Sequence, residues 1–198
     1  VSVPISIDTT KSRVAEVALD YGASIINDVS ALRQDPAMAS VIARFDAAVV
    51  LMHMQGTPQT MQQSPQYSDV VGEVVRFLEG RVQMALRAGI AGTNILLDPG
   101  FGFGKLLNHN LDLLDGLSAI AALNRPVLVG LSRKAFIGNV VERPVEHREW
   151  GTAAAVALAV DRGAHILRVH DVAMMIDVVK MAAALNPRWS SCRQEHDA

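Results

Sequence analysis

One stretch of this chain recurs along it. Ala18-Leu-Asp-Tyr-Gly22-Ala23-Ser-Ile-Ile-Asn-Asp28 resembles Ala159-Val-Asp-Arg-Gly163-Ala164-His-Ile-Leu-Arg-Val-His-Asp171, and Ala85-Leu-Arg-Ala-Gly89 through Ile95-Leu-Leu-Asp98 is a looser third copy. Each copy reads as a helix end, a Gly cap, an apolar strand and then an acidic residue. The copies are offset by multiples of roughly 35 residues, about one βα unit of a (β/α)8 barrel. Hydropathy extends the unit over the whole chain. Strands are expected at 3–7, 24–27, 47–52, 94–97, 126–131 and 165–169, and helices at 11–21, 35–45, 68–88, 110–123, 151–162 and 172–185. The 68–88 helix is the clearest, with Val70/Val71, Val74/Val75, Leu78, Val82 and Ala85/Leu86 at helical spacing. Several strands are continuously apolar, as parallel strands covered on both faces are.

The 198 residues thus hold six units, whereas a closed barrel has eight strands. The alternatives are an open, doubly wound sheet or a TIM barrel from which two units are missing. The second is preferred, because positions 1, 3, 5 and 7 already alternate as a strand. With 50% hydrophobic and 19% charged residues, the chain is not disordered, and residues 1–187 are expected to form one domain, followed by a polar tail over 188–198. Lys and Arg number 18 against 20 Asp and Glu, which argues against nucleic acid or an anionic membrane as partner. The longest apolar run, 153–160, is far short of the roughly 20 residues that span a bilayer. The single cysteine, Cys192, supports neither a disulfide framework nor a thiolate metal site and fits a reducing, cytoplasmic setting. The first residues carry no signal-peptide pattern.

In parallel α/β proteins ligands bind beyond the carboxyl ends of the strands. Those ends read Asp8, Asn27-Asp28, His53, Asp98, Ser132-Arg133-Lys134 and Arg168-Val-His170-Asp171. Each has a bland reading. Asp8 can cap the 11–21 helix, Asp171 can cap the last helix, and Arg168 can pair with a neighbouring Asp. Asp98 is harder to explain so, since Pro99-Gly100 opens a loop. Its carboxylate could accept two N–H donors side by side. Arg168 and His170, two apart, share a strand face beside a helix start, which suits an anion such as phosphate. Lys134 could be a Schiff-base nucleophile, a proton donor or an orienting charge. Gly100-Phe-Gly-Phe-Gly104-Lys105 is neither a Walker loop nor a dinucleotide fingerprint; Phe101 and Phe103 either stack on a flat ligand ring or anchor the loop in the core. The Gln-rich stretch 54–67 is long for a βα loop and reads as a lid, a binding element or a disordered segment. His53, between two Met, reads as a packed histidine, and His109, His147 and His196 show no metal spacing.

At these residues the sequence resembles the dihydropteroate synthase family. The matching stretches are Ile5-Ser-Ile-Asp-Thr9, Ile26-Asn-Asp-Val29, Leu51-Met-His-Met-Gln-Gly-Thr-Pro58, Leu97-Asp-Pro-Gly-Phe-Gly-Phe-Gly-Lys105, Val129-Gly-Leu-Ser-Arg-Lys134 and Arg168-Val-His-Asp171. They occur in the family's order and cover about residues 3–187. The resemblance implies a (β/α)8 TIM barrel with only its third to eighth units in this chain. It implies a transferase of folate biosynthesis that joins 4-aminobenzoate to (7,8-dihydropterin-6-yl)methyl diphosphate, releasing diphosphate. Asp8, Asn27, Asp98 and Lys134 would line the pterin pocket, with Met52 and Phe103 flanking the ring. Arg168 and His170 would hold the diphosphate, and Ser132 and Arg133 would lie towards the aminobenzoate carboxylate. Asp8, Lys134, Arg168 and His170 would be catalytic. The family's Asn-Val-Thr-Pro-Asp-Ser-Phe-Ser-like segment, which supplies the Mg2+ ligand, does not occur here, so no metal ligand is expected within these residues. A homodimer and sensitivity to sulfonamides are further family traits. Two other readings stand beside this one: a pterin or methyltetrahydrofolate-binding module without diphosphate chemistry, and a Schiff-base aldolase using Lys134.

Overall fold

The computed structural model describes residues 2–186; Cys192, His196 and the tail expected at 188–198 lie outside the described residues. The elements alternate along the chain: β1 (Ser6–Asp8), α1 (Ser12–Asp20), β2 (Ile25–Asp28), α2 (Met38–Arg44), β3 (Ala48–Met52), α3 (Val70–Arg87), β4 (Ile95–Asp98), α4 (Leu107–Asp115), α5 (Leu117–Ala121), β5 (Leu128–Gly130), α6 (Ala135–Val141), α7 (Glu149–Asp161), β6 (Ile166–Arg168) and α8 (Val172–Leu185). β1 to β4 form one parallel sheet in chain order, and β5 pairs in parallel with β6. A parallel bridge between Leu97 and Val127 joins the two sheets. Every strand therefore lies beside its sequence neighbours, with no reversal of strand order of the kind that defines a doubly wound sheet.

The central strands β2 to β4 are apolar because both faces are covered, whereas β1 and β6 are largely exposed. Ile26, Val49, Leu51, Ile95, Leu97, Val127 and Val129 are wholly buried. α3 seals one side with Val70, Val74, Leu78, Val82 and Ala85, the stripe read from the sequence. Its start is fixed locally. Asp69 accepts from the Gly72 N–H at 2.9 Å, and Glu73 reaches back to the Ser68 and Asp69 N–H groups at 2.9 and 3.2 Å. Those bonds, that from Asp69 foremost, hold the Glu73 carboxyl below its ordinary range.

Three elements differ from expectation. β1 begins at Ser6 rather than at 3, since Pro4 has no N–H to give a ladder. The helix expected at 110–123 is two helices broken at Gly116. A Cβ there would stand 2.6 Å from a Val71 methyl, so the Gly lets this segment close on α3. α6 went unseen in the sequence, because its seven residues are too few to show a period. It stops at Glu142, which turns left-handed at φ 53°.

Register decides what the strand ends present. Asp8 stands opposite Asn27, Met52 opposite Asp98, and Gly130 opposite Arg168. These pairs form a row at the carboxyl edge of the sheets. Asp28, one residue on from Asn27, points the other way and is fully buried. Its oxygens accept from Ser30 N, Ser30 Oγ and Leu32 N at 2.7–2.8 Å, which holds a loop in which Ala31 and Leu32 both adopt positive φ.

Candidate active site

A cleft of about 280 Å3 opens at this carboxyl edge. One wall carries Asp8 and Asn27, the base Met52 and Asp98, and the facing wall Ser132, Lys134, Arg168 and His170, with Phe103 beside them. Of the residues to which the resemblance assigns a site role, all line it except Arg133; Asp28, His53, Phe101 and Asp171, also noted at strand ends or in the Gly-rich loop, do not. Val29, Gly130 and Val169 line it as well, apolar or side-chain-free positions that no sequence signal marked.

The acceptor wall is arranged around Asp8. Asn27 Nδ2 donates to Asp8 Oδ1 at 2.8 Å, and Arg168 Nη2 donates to Asp8 Oδ2 at 2.7 Å. The ion pair anticipated for Arg168 thus forms, and it spans the mouth of the cleft. Asp8 is not the cap of α1. Ser12 N, the first N–H of that helix, instead donates to Asp35 Oδ2 at 2.7 Å. Since the Asp8 carboxylate can only accept, the Asn27 amide is oriented with Nδ2 towards it. Asn27 Oδ1 is then a buried acceptor with no donor among the described residues. A buried acceptor in that state carries an unrecovered desolvation cost, and a ligand N–H would remove it.

At the base, Asp98 is 7% exposed. Its Oδ1 accepts from the Gly100 N–H at 2.7 Å. Burial pushes its carboxyl above the ordinary range, while the Gly100 bond and the charges of Lys134, Lys105 and Arg168 pull the other way. The Gly-rich loop is folded tightly above it. Gly100 has φ 70°, and a Cβ there would overlap the His53 carbonyl oxygen. The two aromatic residues of this loop divide the two roles open to them. Phe101 is fully buried and stacked on Phe136 at 6.1 Å, whereas Phe103 faces the cleft under the Lys134 ammonium, 4.7 Å from its ring centre. Lys134 Nζ also donates to the Phe101 carbonyl. Burial, opposed by Asp98 and aided by Arg168, brings Lys134 down to about 8.

Lys105, not singled out from the sequence, stands just behind. Its Nζ contacts Gly100 O at 2.9 Å, Phe103 O at 3.1 Å and His53 Nδ1 at 3.0 Å. It staples the loop shut, and burial lowers it to about 7. Two of its partners are carbonyls created by the loop's own conformation, so the Gly-rich motif that ends in Lys105 does not disclose this role. His53 is the packed histidine expected, edge-on to Phe77 at 4.9 Å and lowered to about 3 by burial and then by Lys105. The 54–67 stretch is tied over the same loop by Gln62 to Gly102 O and Tyr67 Oη to Gly104 O, both at 2.7 Å.

On the facing wall Ser132 Oγ meets His170 Nδ1 at 2.8 Å. Arg133 points out of the cleft and grips Asp171 through two bonds, Nη2 to Oδ1 at 2.7 Å and Nε to Oδ2 at 3.1 Å. The Asp171 side chain makes no capping bond to α8; that carboxylate belongs to Arg133. Among the described residues no group of three or more His, Cys, Asp or Glu side chains is placed to hold a metal ion, and no helix is long and apolar enough to cross a membrane.

The family model described as "Pterin binding enzyme" matches residues 1–170. The chain is 44% identical over 184 residues to the dihydropteroate synthase of Synechocystis sp. (strain PCC 6803), covering 92% of this chain and 64% of that protein. It is 45% identical over 177 residues to the Haemophilus influenzae dihydropteroate synthase, covering 89% and 64% respectively. It therefore spans a little under two thirds of the length of these relatives. Among solved structures, Yersinia pestis dihydropteroate synthase with a sulfonamide drug complex superposes with a TM-score of 0.90 at 39% identity, covering 93% of this chain and 66% of that one. The Xanthomonas albilineans enzyme in complex with 7,8-dihydropteroate gives 0.87 at 45% identity, covering 93% and 68%. The chain belongs to the pterin-binding enzyme family.

Proposed function

We propose that this protein is a dihydropteroate synthase, a transferase that displaces diphosphate from (7,8-dihydropterin-6-yl)methyl diphosphate with the amine of 4-aminobenzoate. The observation that carries this reading is one cleft with a buried carboxylate, Asp98, at its base and the cations Arg168 and Lys134 with His170 on the facing wall. The amide N–H and 2-amino group of a pterin form a two-donor edge that Asp98 can accept bidentately. Asn27 Oδ1, buried and without a donor among the described residues, would take a further N–H of the same ring. Met52 and Phe103 would cover the ring faces.

The reaction breaks the bond from the pterin methylene to a diphosphate oxygen, and the electron pair leaves on that oxygen. The amine lone pair of 4-aminobenzoate forms the new C–N bond, and the nitrogen then loses a proton. As the bond stretches, positive charge grows on the pterin CH2 and negative charge on the diphosphate. Asp8 is placed to stabilise the first; Arg168 and His170 to stabilise the second. Arg168 is bonded to Asp8. A diphosphate that takes Arg168 would leave Asp8 with its full charge next to the reacting carbon. Lys134 would orient the reactants from between Phe103 and Arg168. No covalent enzyme intermediate is needed, which removes the aldolase role for Lys134.

In this reading the strands, in unbroken chain order, are the third to eighth of a (β/α)8 barrel, and residues 1–187 are the corresponding part of one domain. The family's Mg2+ is not matched by any donor cluster among the described residues, so no step is assigned to it. The reading also includes a homodimer in the cytoplasm, which sedimentation and fractionation would test. The direct test of function is to mix the protein with the pterin diphosphate and 4-aminobenzoate. Dihydropteroate and inorganic pyrophosphate should appear in equal amounts. Binding of the pterin without any pyrophosphate release would favour the binding-module reading instead.

A further inference from the structure

The turn after β5 and the segment after β6 are latched residue against residue. Ser132 meets His170, and the next residue on each side, Arg133, meets Asp171. Ser132 Oγ accepts from the His170 backbone N–H at 3.3 Å and lies 2.8 Å from its Nδ1. The Ser132 hydroxyl, with one proton and two lone pairs, can donate to Nδ1 or accept from it as well as from the N–H, so the contact fixes the position of the ring with either tautomer. Beside it, the Arg133 guanidinium forks onto both oxygens of Asp171, the two-bond geometry that fixes direction as well as distance.

Arg133 is itself held from a third side. It adopts φ 58°. Its N–H donates to Thr152 Oγ1 at 3.1 Å, and its carbonyl accepts from Arg148 Nη1 at 2.9 Å. Gly138 clears the path for Arg148, since a Cβ there would overlap that guanidinium. Arg148 and Thr152, at the start of α7, thus hold the backbone of Arg133, and Asp171 holds its side chain, which does not line the cleft. Its far surface is a shallow groove that also holds Glu146 and Glu149. An arginine committed in this way to one carboxylate, with two more nearby, is not available to the carboxylate of 4-aminobenzoate.

We infer that Ser132 and Arg133 are positioning residues: through His170 and Asp171 they hold the imidazole on the diphosphate side of the cleft, and they fix the turn that carries Lys134. The inference deepens the dihydropteroate synthase reading and rests on it. It also moves both residues from the aminobenzoate side, where the family resemblance put them, to the support of the diphosphate side.

The test compares Arg133→Ala, Asp171→Asn and the double variant with the unaltered protein. Arg133→Ala should raise the KM for the pterin diphosphate and the Kd for inorganic pyrophosphate by on the order of tenfold, leaving the KM for 4-aminobenzoate within about twofold. Asp171→Asn should do the same, and the double variant should be no worse than either single one, because both remove the same contact. Ser132→Ala, which removes the hydrogen bond at Nδ1, should shift the ring 15N resonances of His170 in NMR. Should Arg133→Ala not fold, Arg133→Lys keeps the charge without the fork and should show the same split between the two substrates. A selective rise in the 4-aminobenzoate KM, losses that multiply in the double variant, or unchanged His170 ring 15N resonances in Ser132→Ala would overturn the inference. If the unaltered protein neither binds the pterin diphosphate nor forms dihydropteroate, it is the functional reading that falls. If it does both while Arg133→Ala matches it on pyrophosphate, only the positioning role falls.

Discussion

At the base of the cleft, Asp98, Lys105 and His53 are each at most 7% exposed and tied to protein partners, while at its mouth Asp8 and Arg168 meet in an ion pair whose side chains are 53% and 66% exposed. The base is therefore committed before any ligand arrives. Its carboxylate and its loop are held by bonds that are costly to leave unmade. The mouth is not committed. An exposed ion pair is worth about 0–1 kcal/mol, so an incoming anion can take Arg168 from Asp8 at little cost. The base is suited to recognising a fixed ring, and the mouth to a charge that must come and go. Substitutions at the base should thus be felt in stability or in ring recognition, and those at the mouth in anion binding.

The largest effect is expected at Gly100. Gly100→Ala puts a methyl into the His53 carbonyl at a left-handed φ, and should lower unfolding free energy by about 3 kcal/mol or more in a urea titration. A loss under about 1 kcal/mol would mean the loop is not rigidly seated. Next comes Asp98→Asn, which removes the double acceptor while keeping an oxygen for Gly100 N–H. Dihydropteroate formation should fall about 100-fold, and unfolding free energy should stay within about 1 kcal/mol.

Lys105→Met follows, at about 2 kcal/mol, from stranding two loop carbonyls and His53 Nδ1. Its sign with pH is specific. Folding lowers Lys105 from 10.5 to about 7, so between those values the unfolded chain binds a proton that the folded chain has released. The lysine's contribution therefore makes stability rise with pH across that window, and Lys105→Met should flatten the rise. His53, lowered from 6.5 to about 3, gives a similar rise at acid pH for the same reason. A Lys105→Met variant with the unaltered slope from pH 7 to 10 would contradict the staple. The smallest effect is at the mouth. Arg168→Ala should cost less than about 1 kcal/mol of stability but weaken pyrophosphate binding roughly tenfold, more strongly at low salt. A large loss of stability there would erase the contrast between mouth and base.

Much of this was legible in the sequence because it is local. The βα alternation, the α3 stripe and the polar strand ends follow from periods of two and 3.6, and the register of parallel strands then gathers the ends. What escaped depends on residues distant in the chain. Asp8 and Asp171 have the form of helix caps, yet one answers to Asn27 and Arg168 and the other to Arg133. Asp35, 23 residues away, caps α1 in place of Asp8. Arg133 sits between two residues that face the cleft, and only its left-handed φ turns it out. α6 and the break at Gly116 are shorter than the window in which a helical period shows.

The most direct measurement is calorimetric titration of 6-hydroxymethyl-7,8-dihydropterin, with and without its diphosphate, into the unaltered protein and Asp98→Asn. The account predicts that the unaltered protein binds both, the diphosphate more tightly, and that Asp98→Asn loses the bare pterin altogether. Bare pterin bound equally well by Asp98→Asn would contradict it.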